Sequence, residues 1–404
     1  MSNGTKTLLA IVVILILIWI GYAIVSSGPA SPTATSTPVV LTPIKVGVIA
    51  PLTGDGATYG EPMRNLIQLA GDEINAAGGV AGRPLQFVFE DDRCNGGAAV
   101  SAAQKLVSVD KVDVAIGSAC SGATIPAVPV FAGAKIVLES PAASSPDLTG
   151  ISPYFFRDYP SDAAQAVTLA QYFANDKKWK KVAVLQEQTD YASALRKATD
   201  KEFSQFGGKT IVEEFAPGIT DFRSSLAKLK AANPDALMLC LQTTAPLERV
   251  LKQLSELKWK PKIILTDSTI GDPAAMSKFK SQLEGAIGAE FGTDPANPKF
   301  QHMNEAYKAK YGTEIPYISY GQTEYDAVYI LRDGIAAVGT DGDKLAAWTR
   351  TIKDWEGASG KVTIGENGDR VGGPVLKIVH NGVDILLSDF LNPAPAATST
   401  PAAQ

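Results

Sequence analysis

Histidine and cysteine are scarce in this chain of 404 residues. Two histidines, His302 and His380, leave little for histidine-dependent metal sites or for serine–histidine–aspartate chemistry, and three cysteines cannot build a four-cysteine zinc site. An excess of positive charge is also missing. With 37 Lys+Arg against 42 Asp+Glu, the net charge is -5, so nothing is available to neutralise a phosphate backbone and nucleic acid is not an expected partner. No cysteine precedes Cys94, which excludes a lipid attached at the end of the N-terminal apolar run. No catalytic residue, metal or cofactor is expected from these shortages.

What is present is apolar material. Hydrophobic residues make up 45% and charged residues 20%, enough for about two to three domains with real cores. One long uncharged run occupies 8–25; as a helix it is about 27 Å long, just enough to span a bilayer. Secretory signal cores are shorter, and this run passes through Trp19 and Tyr22 as interfacial aromatics would. Residues 1–25 therefore read as a transmembrane anchor, with a signal segment as the alternative. Lys6 is the only charge before the run, which places Met1 in the cytoplasm and the remainder in the periplasm or at the cell surface. Residues 26–43 are rich in Ser, Thr and Pro without charge and read as a linker, able to hold a domain roughly 50 Å from the membrane. Residues 391–404 repeat that chemistry and are expected to be a disordered tail.

Between these ends, short apolar runs alternate with amphipathic segments. IKVGVIA (44–50) reads as a buried strand, 63–77 as a helix closed by Gly78-Gly79, and PLQFVFE (84–90) as a strand. A helix over 97–108, a strand over 112–117, a helix over 122–132 and a strand over 135–140 follow. Strands separated by helix-length segments imply a parallel sheet covered on both faces. The pattern then restarts: KVAVLQE (181–187), a loop holding Tyr191, a helix ending at Gly207-Gly208, and KTIVEEF (209–215) repeat the order of the first half, whose loop holds Tyr59. A helix over 222–232, a strand over 235–242, a helix over 245–257 and a strand over 262–267 complete it. The predicted fold is α/β, two doubly wound Rossmann-like lobes with a hinge, and a cleft at the C-terminal ends of both sheets. Lobe one is assigned to 44–160 plus 289–357, and lobe two to 161–288 plus 358–390.

Cys94 and Cys120 each follow a strand, and neighbouring parallel strands bring such ends together. In an exported domain this predicts a disulfide closing a loop of 26 residues, worth roughly 3.5 kcal/mol on the chain-entropy model. Cys240 lies in the apolar run ALMLCLQ and reads as a buried strand residue. The glycine-bearing loop PLTGDGATYG (51–60) occupies the place of a dinucleotide fingerprint but has Tyr59 where GxGxxG needs glycine. The run Glu90-Asp91-Asp92 reads as a solvated rim rather than a carboxylate pair for acid–base work.

Taken in order, PLTGDGATYG, INAAGGVAGRPLQFVFEDDRC, IGSACSGAT and ESPAASSPDLT resemble the periplasmic leucine/isoleucine/valine-binding type of solute-binding protein, the receptor subunit of ABC importers. The resemblance spans 44–387 and implies two lobes joined by three crossovers around a small amino acid. It places Cys94 and Cys120 where branched-chain amino acid binders have a disulfide. It implies that Ser121, the backbone of Ala142, and the hydroxyl and amide of Ser144 bind the ligand carboxylate, chemistry suited to hydroxyls and amides near helix starts. It implies that Asp267 pairs with the α-ammonium, and that Tyr59 and Tyr191 close over the ligand from opposite lobes. The same serines and aspartate also suit helix capping. Where the branched-chain binders carry an aromatic, this chain has Gln242-Thr243-Thr244, so Thr243 joins the expected ligand set and the pocket wall is more polar.

The expected function is capture of a branched-chain or related amino acid by a monomer and its delivery to an ABC permease. The alternative is a ligand-sensing receptor domain of the same fold, for an amide, urea-like or aromatic acid solute.

Overall fold

The computed structural model describes residues 3–26 and 41–393. Most of the expected linker over 26–43, and the expected tail from residue 394 on, lie outside the described residues. The apolar N-terminal run forms α1 (Asn3–Ser26). Its stretch Asn3–Ile24 has a mean hydropathy of 2.8 and about 33 Å of length at 1.5 Å per residue.

The first sheet grows from β1 (Ile44–Ala50), whose parallel neighbours are β2 (Leu85–Asp91) and β3 (Val114–Gly117). β4 (Leu138–Glu139) and β5 (Phe155–Pro160) extend it on the β3 side. Crossing between strands are α2 (Ala57–Ala76), α3 (Gly96–Lys105) and α4 (Ser121–Gly133). The apolar faces of α2 and β1 meet in one core, through Met63, Leu66, Ile67, Val46 and Val48. The α3 and α4 side forms another around Ala99, Ala123, Phe131 and Phe155. Both faces of these strands are thus covered, which is why they read as continuous apolar runs.

The second sheet repeats the scheme with β6 (Lys181–Glu187), β7 (Lys209–Phe215), β8 (Ala236–Cys240) and β9 (Ile263–Leu265), all parallel. Its helices begin with α5 (Asp162–Gln171) and α6 (Asp190–Ser204), then α7 (Arg223–Ala231), α8 (Thr244–Glu256) and the single turn α9 (Asp267–Ile270). β10 (Ile287–Glu290) continues this sheet in parallel. Chain then returns to the first lobe as α10 (Pro298–Tyr311) and α11 (Ile318–Val338), which pack on α2 through Met303, Val328 and Leu331, and α12 (Gly342–Thr349), which packs on α11.

The third crossover falls later than the expected break at 357/358. The hairpin β11 (Trp355–Gly357) and β12 (Gly360–Val362) buries Ala358 and Val362 in the first-lobe core, and β13 (Asp369–Arg370) pairs with β5. A buried ion pair of 2.7 Å between Arg157 of β5 and Asp369 adds a polar anchor that hydrophobic patterning does not reveal. Only β14 (Val375–His380) and β15 (Val383–Leu386) return to the second sheet, antiparallel along β10. The sheet orders are β13-β5-β4-β3-β1-β2 and β15-β14-β10-β9-β8-β6-β7.

Candidate functional site

The C-terminal ends of the parallel strands in both lobes face one cleft, and the turns that follow them supply its walls. After β1, Leu52 and Thr53 donate backbone N–H groups to Asp91 Oδ1, and α2 starts at Ala57, earlier than residue 63. Tyr59 therefore stands on the first helical turn, not in the loop. Gly60 lets that turn approach, since a Cβ there would meet the Pro51 carbonyl oxygen at 2.0 Å. Tyr191 occupies the matching first turn of α6, where the N-cap Thr189 hydroxyl accepts from Ala192 N. Asp267 opens α9 rather than ending a strand: Thr266 is the N-cap and forms a capping box with Thr269.

These placements converge. Tyr59, from lobe one, donates its hydroxyl to the Ser268 carbonyl of lobe two at 2.7 Å. Asp267 is fully buried and accepts three phenol hydroxyls, from Tyr191 at 2.6 Å, Tyr320 at 2.8 Å and Tyr159 at 3.3 Å. A carboxylate offers about four lone-pair positions, so one remains for a further donor. Burial, together with Asp267 itself, holds all three phenols well above the usual tyrosine range, and they stay protonated donors. Tyr159 comes from the end of β5 and Tyr320 from α11, so the carboxylate of lobe two is clasped by side chains of lobe one and the first crossover.

Opposite lies the start of α4. Ser121 is buried; its hydroxyl accepts Ser145 N at 3.2 Å and keeps its own proton to donate. Ala142 and Ser144 line the same cavity as Ser121, Tyr59 and Tyr191. The Ser144 hydroxyl also meets the buried Asp162, 2.8 Å from its Oδ2. Burial and the neighbouring Asp267 push the Asp162 carboxyl well up. Thr243 holds the N-cap position of α8 without a side-chain cap bond and lines a neighbouring depression with Asp55, Glu187 and Gln242; Gln242 lines the cavity as well. Asp267 sits behind the cavity wall, reached through Ser268 and the tyrosines. Sequence reading missed Tyr159, Tyr320, Gln242, Ser268 and Glu324. Gln242 and Ser268 carried a signal, standing beside the chosen Thr243 and Asp267.

Two further expectations concern cysteines and acids. Cys94 and Cys120 are joined, with Cα atoms 5.2 Å apart, and Cys240 is buried. In the Glu90-Asp91-Asp92 run, Glu90 and Asp91 are half-buried, whereas Asp92 departs from the solvated rim: it is fully buried and accepts Cys94 N at 2.7 Å.

Buried acids impose a pH dependence on stability. Burial raises Asp92 and Asp326 to about 6 and Asp158 to about 8. Each holds its proton more tightly folded than unfolded, so the folded chain binds more protons between the ordinary carboxylate range and about pH 8. That contribution is complete below about pH 4 and is lost as pH rises through 6 and then 8. The expected result is a thermal midpoint that falls from about pH 5 to about pH 8.5, with Asp158→Asn flattening the upper part. A midpoint that climbs across that range contradicts it.

Comparison with known proteins adds a family. The model for the periplasmic binding protein family matches residues 43–376. The Leu/Ile/Val-binding protein BraC3 of Rhizobium johnstonii is 30% identical over 339 residues, covering 82% of this chain and 90% of its own. Among solved structures, the leucine-binding protein LivK of Thermotoga maritima superposes with a TM-score of 0.78 at 26% identity, over 85% of this chain and 97% of its own. The branched-chain amino acid transporter substrate-binding protein LivJ of Streptococcus pneumoniae, solved with isoleucine, gives 0.75 at 26% identity, over 85% and 97%.

Proposed function

This chain belongs to the periplasmic binding protein family, and from that premise we propose that it captures a small amino acid, branched-chain or related, and delivers it to an ABC permease. The activity is binding, not catalysis. One observation carries the reading: the cavity has on its wall a helix start bearing the donor-competent hydroxyl of Ser121, and behind its wall, next to the lining Ser268, the buried carboxylate of Asp267. A zwitterion needs that pairing of an acceptor for its ammonium with donors for its carboxylate. The ligand-bearing relative named above was solved with isoleucine, an α-amino acid.

In this proposal Ser121 and the backbone at Ala142 and Ser144 take the carboxylate, Asp267 takes the ammonium, and Tyr59 and Tyr191 cover the ligand. Ligand binding favours the closed arrangement, in which Tyr59 bridges to Ser268, and the permease recognises that arrangement. Calorimetric titration tests it, using the full chain in detergent, stripped of carried-over solute by unfolding and refolding. The panel holds the common amino acids, urea, short amides and aromatic carboxylates. Saturable binding of an α-amino acid, lost when its amino group is removed, is expected. Binding of an uncharged or purely anionic solute alone would keep the fold and overturn the ligand class.

We also propose that α1 tethers the binding domain to the outer face of the membrane, on the length and hydropathy of Asn3–Ile24. Full-length protein is then expected to fractionate with membranes. A chain lacking residues 1–43 is expected to be a soluble monomer of unchanged affinity, and aggregation of that chain would show that the apolar segment belongs to the folded domain.

A further inference from the structure

One carboxyl in the cleft wall has no use in the reading above. Glu324 lies one turn beyond Tyr320 on α11, is 3% exposed and lines the same cavity as Tyr59, Ser121 and Gln242. Among the described residues it has no hydrogen-bond partner, whereas its helix neighbours Thr323 and Asp326 are bonded to Pro141 O and to the Ala358 and Ser359 amides.

The groups packed around it do not supply a cation. Burial first, and then Asp158 of β5, raise its proton affinity; burial, Asp158 and Glu324 do the same to Glu139 of β4. Tyr307 of α10 also senses it. The nearby guanidinium, Arg370, directs its bonds to the Asp158 carbonyl, the Ser359 hydroxyl and carbonyl, and the Lys361 carbonyl. Arg157 is committed to Asp369. Arg370 acts on Asp158 and Asp326, while Glu324, which opens into the cavity, has Asp158 and Glu139 as its charged neighbours.

An apolar ligand side chain laid against Glu324 would desolvate this carboxyl and leave it unpaired, which is unfavourable. A ligand ammonium or guanidinium would pair with it in a low-dielectric setting where charge-assisted bonds are strongest. Resting on the amino acid reading, we propose that Glu324 receives a cationic side-chain group of the solute, so that the cleft takes a basic amino acid with Asp267 for its α-ammonium. The rest of the wall agrees: among the lining residues only Ala119 and Ala142 lack a polar side-chain group.

The test titrates the stripped full chain with arginine, lysine, leucine and citrulline, the last keeping arginine's shape without its charge. Arginine or lysine is expected to bind about tenfold or more tightly than leucine and citrulline, the scale of a charged hydrogen bond. Glu324→Gln is expected to erase that advantage and Glu324→Asp, which keeps the charge, to preserve it; the Asp variant also serves as the folded control. Leucine or citrulline binding as tightly as arginine, or an advantage unchanged in Glu324→Gln, would overturn the proposal while leaving an amino acid binder. Silence of the unmodified protein towards every α-amino acid would instead overturn the underlying reading.

Discussion

Asp267→Ala raises the dissociation constant of an α-amino acid about thirtyfold to several-thousandfold. That range corresponds to about 2 to 5 kcal/mol for truncating one partner of a buried charge pair. The size of the effect follows from burial. Asp267 has no exposed surface, so water cannot replace the lost carboxylate for the ligand ammonium. The same change removes the acceptor of the Tyr320 and Tyr159 hydroxyls and leaves Tyr191 only the Ser268 hydroxyl at 3.2 Å, so some loss of thermal stability accompanies it. A second measurement separates the two consequences. The parent protein discriminates between an amino acid and its analogue lacking the α-amino group, and Asp267→Ala loses that discrimination. Asp267→Asn, which can still accept from phenols through its amide oxygen, keeps more of the stability while losing the affinity. Unaltered affinity in Asp267→Ala would place the ammonium elsewhere.

Replacing both Cys94 and Cys120 with serine costs about 3.5 kcal/mol of stability, from the loss of a cross-link closing a 26-residue loop. With about 2 to 4 °C per kcal/mol for a domain of this size, the thermal midpoint falls by about 7 to 14 °C. Affinity falls as well, because Cys120 immediately precedes Ser121 at the start of α4. Freed from Cys94, that helix start is no longer tied to the segment after β2, and the donors proposed for the carboxylate lose their fixed position. A melting curve identical with and without reductant would contradict this account.

Much of the fold was legible because its cause is local. Continuous apolar runs such as IKVGVIA and KVAVLQE report strands covered on both faces, and the spacing between them reports the crossover helices. The two Gly-Gly pairs mark where helices stop: Gly79 has φ 73°, and a Cβ there would strike the Arg83 carbonyl oxygen at 2.2 Å. Cys94 and Cys120 were read as a pair from adjacent strands behind an export segment; the pair holds, although β1 lies between β2 and β3 and it is the turns after those strands that meet. Helix starts were less so. The start expected at residue 63 is late, since α2 begins at Ala57 and continues through Pro62.

By itself, then, the sequence determined the two-lobe α/β arrangement, the strand-end position of the cleft, the disulfide pair, and Tyr59, Ser121, Ala142, Ser144 and Tyr191 as residues of the cavity wall, with Asp267 behind it. Only the tertiary structure decided what their polar atoms meet. Asp267 is held by tyrosines 76, 53 and 108 residues away, the Ser144 hydroxyl turns to Asp162, and Asp92 is buried under the loop it was expected to rim. The third crossover moved because Arg157 and Asp369, 212 residues apart, pair inside lobe one. Apolar periodicity is written along a short stretch of chain, since each element must bury one face wherever it packs. The partner of a buried hydroxyl or carboxyl is chosen by whichever distant segment arrives beside it, and so emerges only when the lobes are assembled.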